Sequence, residues 1–235
     1  SRRGVRPKRG SHYALPRPLR RAALFAMGRT LIRRDTASLY VRYQRDLGEV
    51  GRGYSLRVAW WLLKYTLGVI DAEKVAERAL ASYRGKEEAW MEDRCRGWFR
   101  DYVLPHVTDS GREAVRRHRD AGDVLVIVTG ATRYAAEPLA RELGIEHVVC
   151  TELDVDSSGR FTGKLKPPMC YGKGKITRTA RLAAEHGFQL ERSCFYSDSI
   201  TDRPLLEHVD EPIVVNPDAR LRRLANQRGW RVERW

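Results

Sequence analysis

The sequence predicts an α/β fold: a doubly wound, mainly parallel, Rossmann-like sheet carrying an inserted, all-helical segment. Three observations predict it. Four short apolar or β-branched runs, Ala22 to Met27, Val124 to Thr129, Ser193 to Ser197 and Pro212 to Val215, read as strands buried on both faces. Helical spacing fills the stretches Gly111 to Ala121, Tyr134 to Leu143, Lys175 to His186 and Pro204 to Val209, and alternation of strand with helix is the pattern of a parallel sheet covered on both sides. Between the first two runs, residues 35 to 105 hold several helical stretches and no convincing strand, so they read as a helical insertion.

Each element has a local reason. Asp-Ser-Ser-Gly lies between alternating residues, Leu153 and Val155 before it and Phe161, Gly163 and Leu165 after it, which predicts a hairpin turning near Gly159. The chain divides into a basic arm over 1–21, an α/β core over 22–34 and 106–235, and a helical cap over 35–105. Its 235 residues, 42% hydrophobic and 31% charged, are enough for one such core with an insert, and exclude collagen-like or wholly disordered chains.

Charge is uneven. The formal net charge is +14, and residues 1 to 21 hold eight basic residues and no acid, leaving +6 on the other 214. Such an arm is either a solvated leader or a surface that attracts nucleic acid or anionic lipid. Cys95, Cys150, Cys170 and Cys194 form no C-x-x-C pair and have no histidine at metal-ligand spacing, which argues against structural zinc. No apolar leader opens the chain, and the longest apolar stretch, Val58 to Ile70, is broken by Lys64. The expectation is a cytoplasmic protein, with a peripheral membrane location left open.

In an open α/β sheet, function gathers where strands end. The first run is followed by Ala26-Met27-Gly28-Arg29-Thr30-Leu31 and the second by Gly130-Ala131-Thr132 after Thr129. Gly172-Lys173-Gly174-Lys175 opens a helix, and Ser197-Asp198-Ser199-Ile200-Thr201-Asp202 ends the run over 193–197. A hydroxyl, a lysine and two carboxylates brought to one sheet edge suit an anion beside a divalent cation.

These four motifs, in this order, resemble the haloacid dehalogenase superfamily, in the branch similar to phosphoserine phosphatase with a helical cap. The similarity runs from about residue 22 to 235 and includes the ending Val214-Val215-Asn216-Pro217-Asp218 and Gly229-Trp230. The resemblance implies Mg2+-dependent hydrolysis of a small phosphomonoester through an aspartyl phosphate. It implies phosphoryl contacts from Thr129 and the Gly130 amide, charge neutralisation by Lys175, and magnesium held by Asp198, Asp202 and the Gly28 carbonyl. Asp35 matches an acidic substrate-contact position, with an N-cap role before Thr36 as its alternative.

The chain departs from the family where the chemistry starts. The first motif runs Asp-x-Asp-x-Thr, and this sequence has Ala26 at the nucleophile position and Gly28 at the acid/base position, keeping Thr30. Neither side chain can attack phosphorus or carry a proton. The expectation is therefore a phosphoester- or phosphate-binding pseudoenzyme or an inactivated phosphatase, with weakened magnesium binding and a more positive pocket. Residual hydrolysis by water positioned by Asp198 is a weaker reading, since no side chain stands ready as base.

The stretch Tyr54 to Val69, rich in Trp60, Trp61, Leu62, Leu63, Tyr65 and Leu67, reads as a buried cap helix or as one lying on a membrane. Arg57, Tyr65, Arg84 and Trp98 are candidates to face a substrate. A rival reading makes the protein an interaction module whose basic arm binds nucleic acid or an anionic membrane surface, with the old pocket as scaffold.

Overall fold

The structure is a computed structural model, and it describes residues 20–51, 53, 76 and 80–235. The expectations for the basic arm before residue 20, and for the aromatic stretch with Arg57 and Tyr65, fall outside the described residues.

The described chain runs β1 (Ala22–Phe25), α1 (Thr36–Asp46), α2 (Glu88–Trp98), α3 (Asp109–Asp120), β2 (Val124–Thr132), α4 (Arg133–Leu143), β3 (His147–Val155) and β4 (Phe161–Lys166). It continues as α5 (Lys173–His186), β5 (Cys194–Ser197), α6 (Arg203–Leu206), β6 (Glu211–Val215), α7 (Ala219–Arg228) and β7 (Arg231–Glu233). The strands form one seven-stranded sheet in the order β4-β3-β2-β1-β5-β6-β7. Every pairing is parallel except β3 with β4, which is the expected hairpin, with Gly159 at φ +75.

The apolar runs are explained by burial on both faces. Phe25 sits opposite Ile127 and Tyr196, and Leu24 opposite Val126 and Phe195. Ala23, Phe25, Leu125, Ile127, Cys194, Tyr196, Ile213 and Val215 form one apolar layer with Ala114 and Val115 of α3 and Ala136, Leu139 and Leu143 of α4. Ala22, Leu24, Val126, Val128, Phe195 and Val214 form the other, against Ala183 of α5, Leu205 and Leu206 of α6, and Leu221 and Ala225 of α7. Period-two alternation thus sends successive side chains to opposite helical layers.

Two elements were not legible as strands. The parallel half of β3, His147 to Thr151, alternates weakly because its first residues are only half-buried, and β7 is short and largely exposed. The second run also extends further than expected: β2 continues through Thr132, with a register shift after Val128, so Thr129-Gly130 is strand rather than turn. The expected helix Pro204 to Val209 shrinks to four residues, and α7 was not foreseen.

Residues from the 35–105 stretch pack on the sheet. Leu39, Trp98, Phe99 and Val103 belong to the first apolar layer, and Met91 and Cys95 of α2 pack with Tyr134, Leu153, Phe161 and Leu165. Glu88 locks this contact by accepting hydrogen bonds from Tyr134 Oη at 2.6 Å and from the Arg133 guanidinium at 2.5 Å. Among the described residues, no helix is long and apolar enough to cross a membrane.

β1 lies in the middle of the sheet, and the chain winds outward to one side through β2, β3 and β4 before returning to β5 on the other. Between β1 and β5 the winding direction reverses, so the crevice used by doubly wound folds opens at their carboxyl ends. Phe195, fully buried in the strand beside β1, tests the packing that holds this crevice: Phe195→Ala is expected to cost about 3–5 kcal/mol in urea unfolding, and a loss under about 1 kcal/mol would contradict it.

Candidate functional site

Residues after β1, β2 and β5 and at the start of α5 meet at this crevice. Ala26 continues the ladder, its amide donating to the Tyr196 carbonyl at 2.8 Å, so its side-chain position sits at the end of the central strand. The turn beyond it is closed by the Ile32 amide on the Met27 carbonyl and the Arg29 amide on the Arg34 carbonyl, both at 3.2 Å. Arg29 adopts φ +57, a left-handed conformation that costs a non-glycine residue roughly 1–2 kcal/mol. Its side chain reaches Asp198, Nε to Oδ2 at 3.4 Å. The buried Thr30 hydroxyl stands 3.5 Å from the other oxygen of the same carboxylate.

Lys175 is delivered by glycines. Gly172 takes φ 51 and ψ −122, a region closed to side chains. A Cβ at Gly174 would lie 2.0 Å from the Met169 carbonyl oxygen, so only glycine lets the first turn of α5 press against that loop. Arg178, one turn on, holds the loop by donating to the Pro168 carbonyl at 2.6 Å and the Lys166 carbonyl at 2.7 Å. The result is a buried ion pair, Lys175 Nζ to Asp202 Oδ1 at 2.6 Å, with both side chains less than a tenth exposed. The Ser197 hydroxyl donates to the second Asp202 oxygen at 2.7 Å. Burial opposes the charge on Lys175, but Asp202, with smaller help from Cys170 and Asp198, more than offsets it and raises the ammonium pKa.

The segment 198–202 is held by Asp218, a residue whose role the sequence did not reveal. One Asp218 oxygen caps α7 through the Arg220 and Leu221 amides, and the other accepts the Ile200 amide at 3.0 Å. The Asp218 amide in turn donates to the Asp198 carbonyl at 3.1 Å. Asp198 is therefore fixed in a place where burial, and then the nearby Asp202 charge, pushes its carboxyl up to about 7 despite Arg29. Cys170 offers no substitute nucleophile, since burial pushes its thiol up to about 11 even with Lys175 acting the other way.

Thr129 is buried at the β2 end, where its hydroxyl accepts the Ala131 amide at 3.2 Å. The Gly130 carbonyl accepts from the Thr151 hydroxyl at 2.9 Å. Asp35 is the N-cap of α1, accepting the Ser38 amide at 2.8 Å, and also lines an open cleft beside the Arg29 turn. Trp98 is a correction: it is 1% exposed within the sheet's apolar layer and faces no substrate. Arg84 donates to the Thr162 carbonyl at 3.0 Å, on the hairpin.

The residues present do not fit the family's magnesium. Ala26 brings a methyl where a carboxylate would ligate, Asp198 is paired with Arg29, and Asp202 is committed to Lys175 and Ser197. Among the described residues, no group of three or more His, Cys, Asp or Glu side chains could hold a metal ion.

Comparison with known proteins agrees with this arrangement of strands. A family profile described as haloacid dehalogenase-like hydrolase matches residues 23–207. A histidinol-phosphatase of Neisseria meningitidis is 30% identical over 218 residues, covering 91% of this chain and 98% of that protein. The phosphoserine phosphatase SerB1 of Mycobacterium tuberculosis is 31% identical, covering 95% and 73% respectively. A crystal structure of a Bordetella pertussis protein of unknown function superposes with a TM-score of 0.82 at 31% identity, covering 92% of this chain and 99% of that one.

Asp198 gives a pH test. Its folded pKa lies above the ordinary 3.8, so the folded state keeps a proton the unfolded chain releases. Its contribution is complete below about pH 4 and declines, by up to about 1.4 kcal/mol per pH unit, as pH rises toward 7. Asp198→Asn removes that decline, so urea unfolding should show the variant gaining about 1 kcal/mol or more on the parent between pH 5 and pH 8. An unchanged difference at the two pH values would refute it.

Proposed function

This chain belongs to the haloacid dehalogenase-like hydrolase family, and on that footing we propose that it is a phosphatase scaffold that binds a small phosphomonoester or inorganic phosphate without hydrolysing it. One observation carries the reading. The central strand ends in Ala26 and Gly28 at the positions of nucleophile and acid/base, while the buried Lys175–Asp202 pair beside it remains closed at 2.6 Å.

The division of labour follows from the chemistry left. The Thr129 hydroxyl and the Gly130 amide hold phosphoryl oxygens as donors, Lys175 keeps an ammonium donor there with its charge balanced by Asp202, and Asp35 stands at the substrate side of the cleft. A covalent phosphoryl intermediate has no oxygen on which to form. What remains is positioning and electrostatics, which in enzymes stripped of their nucleophile leave rates several powers of ten down. To residues 35–105 we assign the cap role that the family resemblance implies for them.

Magnesium, when bound in the family, polarises the phosphoryl group and neutralises its charge. Here its ligand set lacks the Ala26 carboxylate, so its affinity is reduced. Calorimetric titration of the full chain with magnesium should give binding weaker than millimolar, and micromolar affinity would overturn this part of the reading.

Restoration tests the whole. A Cβ at Gly28 would meet the Thr36 amide nitrogen at 3.6 Å and the Arg34 carbonyl at 3.7 Å, ordinary contacts, so the backbone there accepts a side chain's first carbon. Ala26→Asp with Gly28→Asp should raise magnesium-dependent hydrolysis of an aryl phosphate by several powers of ten, while the parent shows almost none. Comparable turnover in the parent would end the proposal.

A further inference from the structure

Lys175 does not supply a spare positive charge to this site, because Asp202 consumes it, and Arg29 is already engaged by Asp198 at 3.4 Å. The surplus lies next door. A cleft of about 530 Å3 opens beside the Arg29 turn, lined by Arg29, Arg33, Arg34 and Asp35 together with Asn216 and Trp235.

With Arg29 in contact with Asp198, Arg33 and Arg34 line the cleft beside one side-chain carboxylate, Asp35, which already accepts the Ser38 amide at 2.8 Å. Arg33 and Arg34 are exposed, and among the described residues neither has a carboxylate within ion-pair distance. Their backbone is fixed: the Arg33 amide donates to the His106 carbonyl at 2.9 Å, and the Arg34 carbonyl accepts the Arg29 amide at 3.2 Å. The other lining residues are fixed too, with Trp235 and Asn216 exchanging hydrogen bonds at 3.1 and 3.2 Å and the indole donating to Glu233 at 2.7 Å. Burial lowers the pKa of His106, and the charges of Arg34, Arg42 and Arg33 lower it further, in keeping with a positive field on this side of the turn.

Resting on the phosphate-binding reading above, we infer that this cleft is an anion site that takes phosphate compounds carrying more than one anionic group, such as a diphosphate, without a divalent cation. Guanidinium forks match phosphate oxygens in pairs and stay charged at any working pH. The volume suits a small ligand. Arg29 joins the cleft to the strand ends, since one side chain lines the first and touches Asp198 at the second. The same charges disfavour a phosphoester whose other end is a free ammonium.

The test compares inorganic phosphate with pyrophosphate on the full chain, by calorimetry in EDTA at physiological salt. Pyrophosphate should bind at least tenfold tighter, and Arg33→Ser with Arg34→Ser should erase that margin while leaving phosphate affinity within about twofold. Arg222→Ser with Arg223→Ser removes the same net charge from exposed positions on α7 and should keep the margin. The inference is overturned if the margin is absent, if it survives in the Arg33/Arg34 variant, or if the α7 variant loses it equally, which would mark a general field effect. Should phosphate alone bind, the proposed function stands and the cleft does not. Should pyrophosphate alone bind, through Arg33 and Arg34, the cleft stands and the strand-end reading falls. If neither binds, both fall.

Discussion

A lysine and an aspartate closed against each other in the interior are the constraint on which the rest of the site depends. Lys175 and Asp202 lie 2.6 Å apart with almost no access to water, a placement that costs several kcal/mol per ion in desolvation unless each charge is matched. Matching demands geometry from four directions. Gly174 lets α5 approach the Met169 carbonyl, Gly172 turns the chain into the helix, Arg178 ties down the loop before it, and Ser197 satisfies the remaining aspartate oxygen. Removing either ion strands the other, at a cost of about 3–5 kcal/mol. The pair can therefore persist for the stability of the fold whether or not the site turns over substrate.

Its neighbour Asp198 is balanced differently. It is held by the Asp218 network rather than by a cation of comparable intimacy, and its contact with Arg29 is longer, at 3.4 Å. An arginine from the motif-one turn thus provides counter-charge where the motifs imply a metal in relatives. This requires Arg29 to take a left-handed backbone, φ +57, which the turn closed by Arg34 and Ile32 imposes. Because the turn also carries Arg33 and Arg34, the conformation that brings Arg29 to Asp198 leaves beside it two exposed arginines that, among the described residues, have no carboxylate within ion-pair distance.

Charge redistribution therefore differs from simple loss of two acids. Lacking aspartates at 26 and 28, the strand ends set two cations, Lys175 and Arg29, against Asp202 and an Asp198 whose carboxyl is pushed up to about 7. The positive excess lies in the adjoining cleft, on Arg33 and Arg34, which meet no carboxylate among the described residues.

The sequence by itself determined the fold class, the hairpin at Gly159, the absence of motif-one carboxylates, and the identities of Thr129, Lys175, Asp198 and Asp202. Apolar runs buried on both faces and glycine-marked turns are local signals that survive without coordinates. It left β7 and the parallel half of β3 unread, because half-exposed residues carry no clean alternation, and it offered Trp98 among four candidates to face a substrate when packing had claimed it. Only the tertiary structure decided which cation meets which carboxylate. Lys175 and Asp202 are 27 residues apart, Arg29 and Asp198 are 169 apart, and Asp218 reaches back to Ile200 across a strand. Such pairings are set by strand order and by the point where the winding reverses, and the strength of a buried ion pair depends on a burial that no single residue encodes.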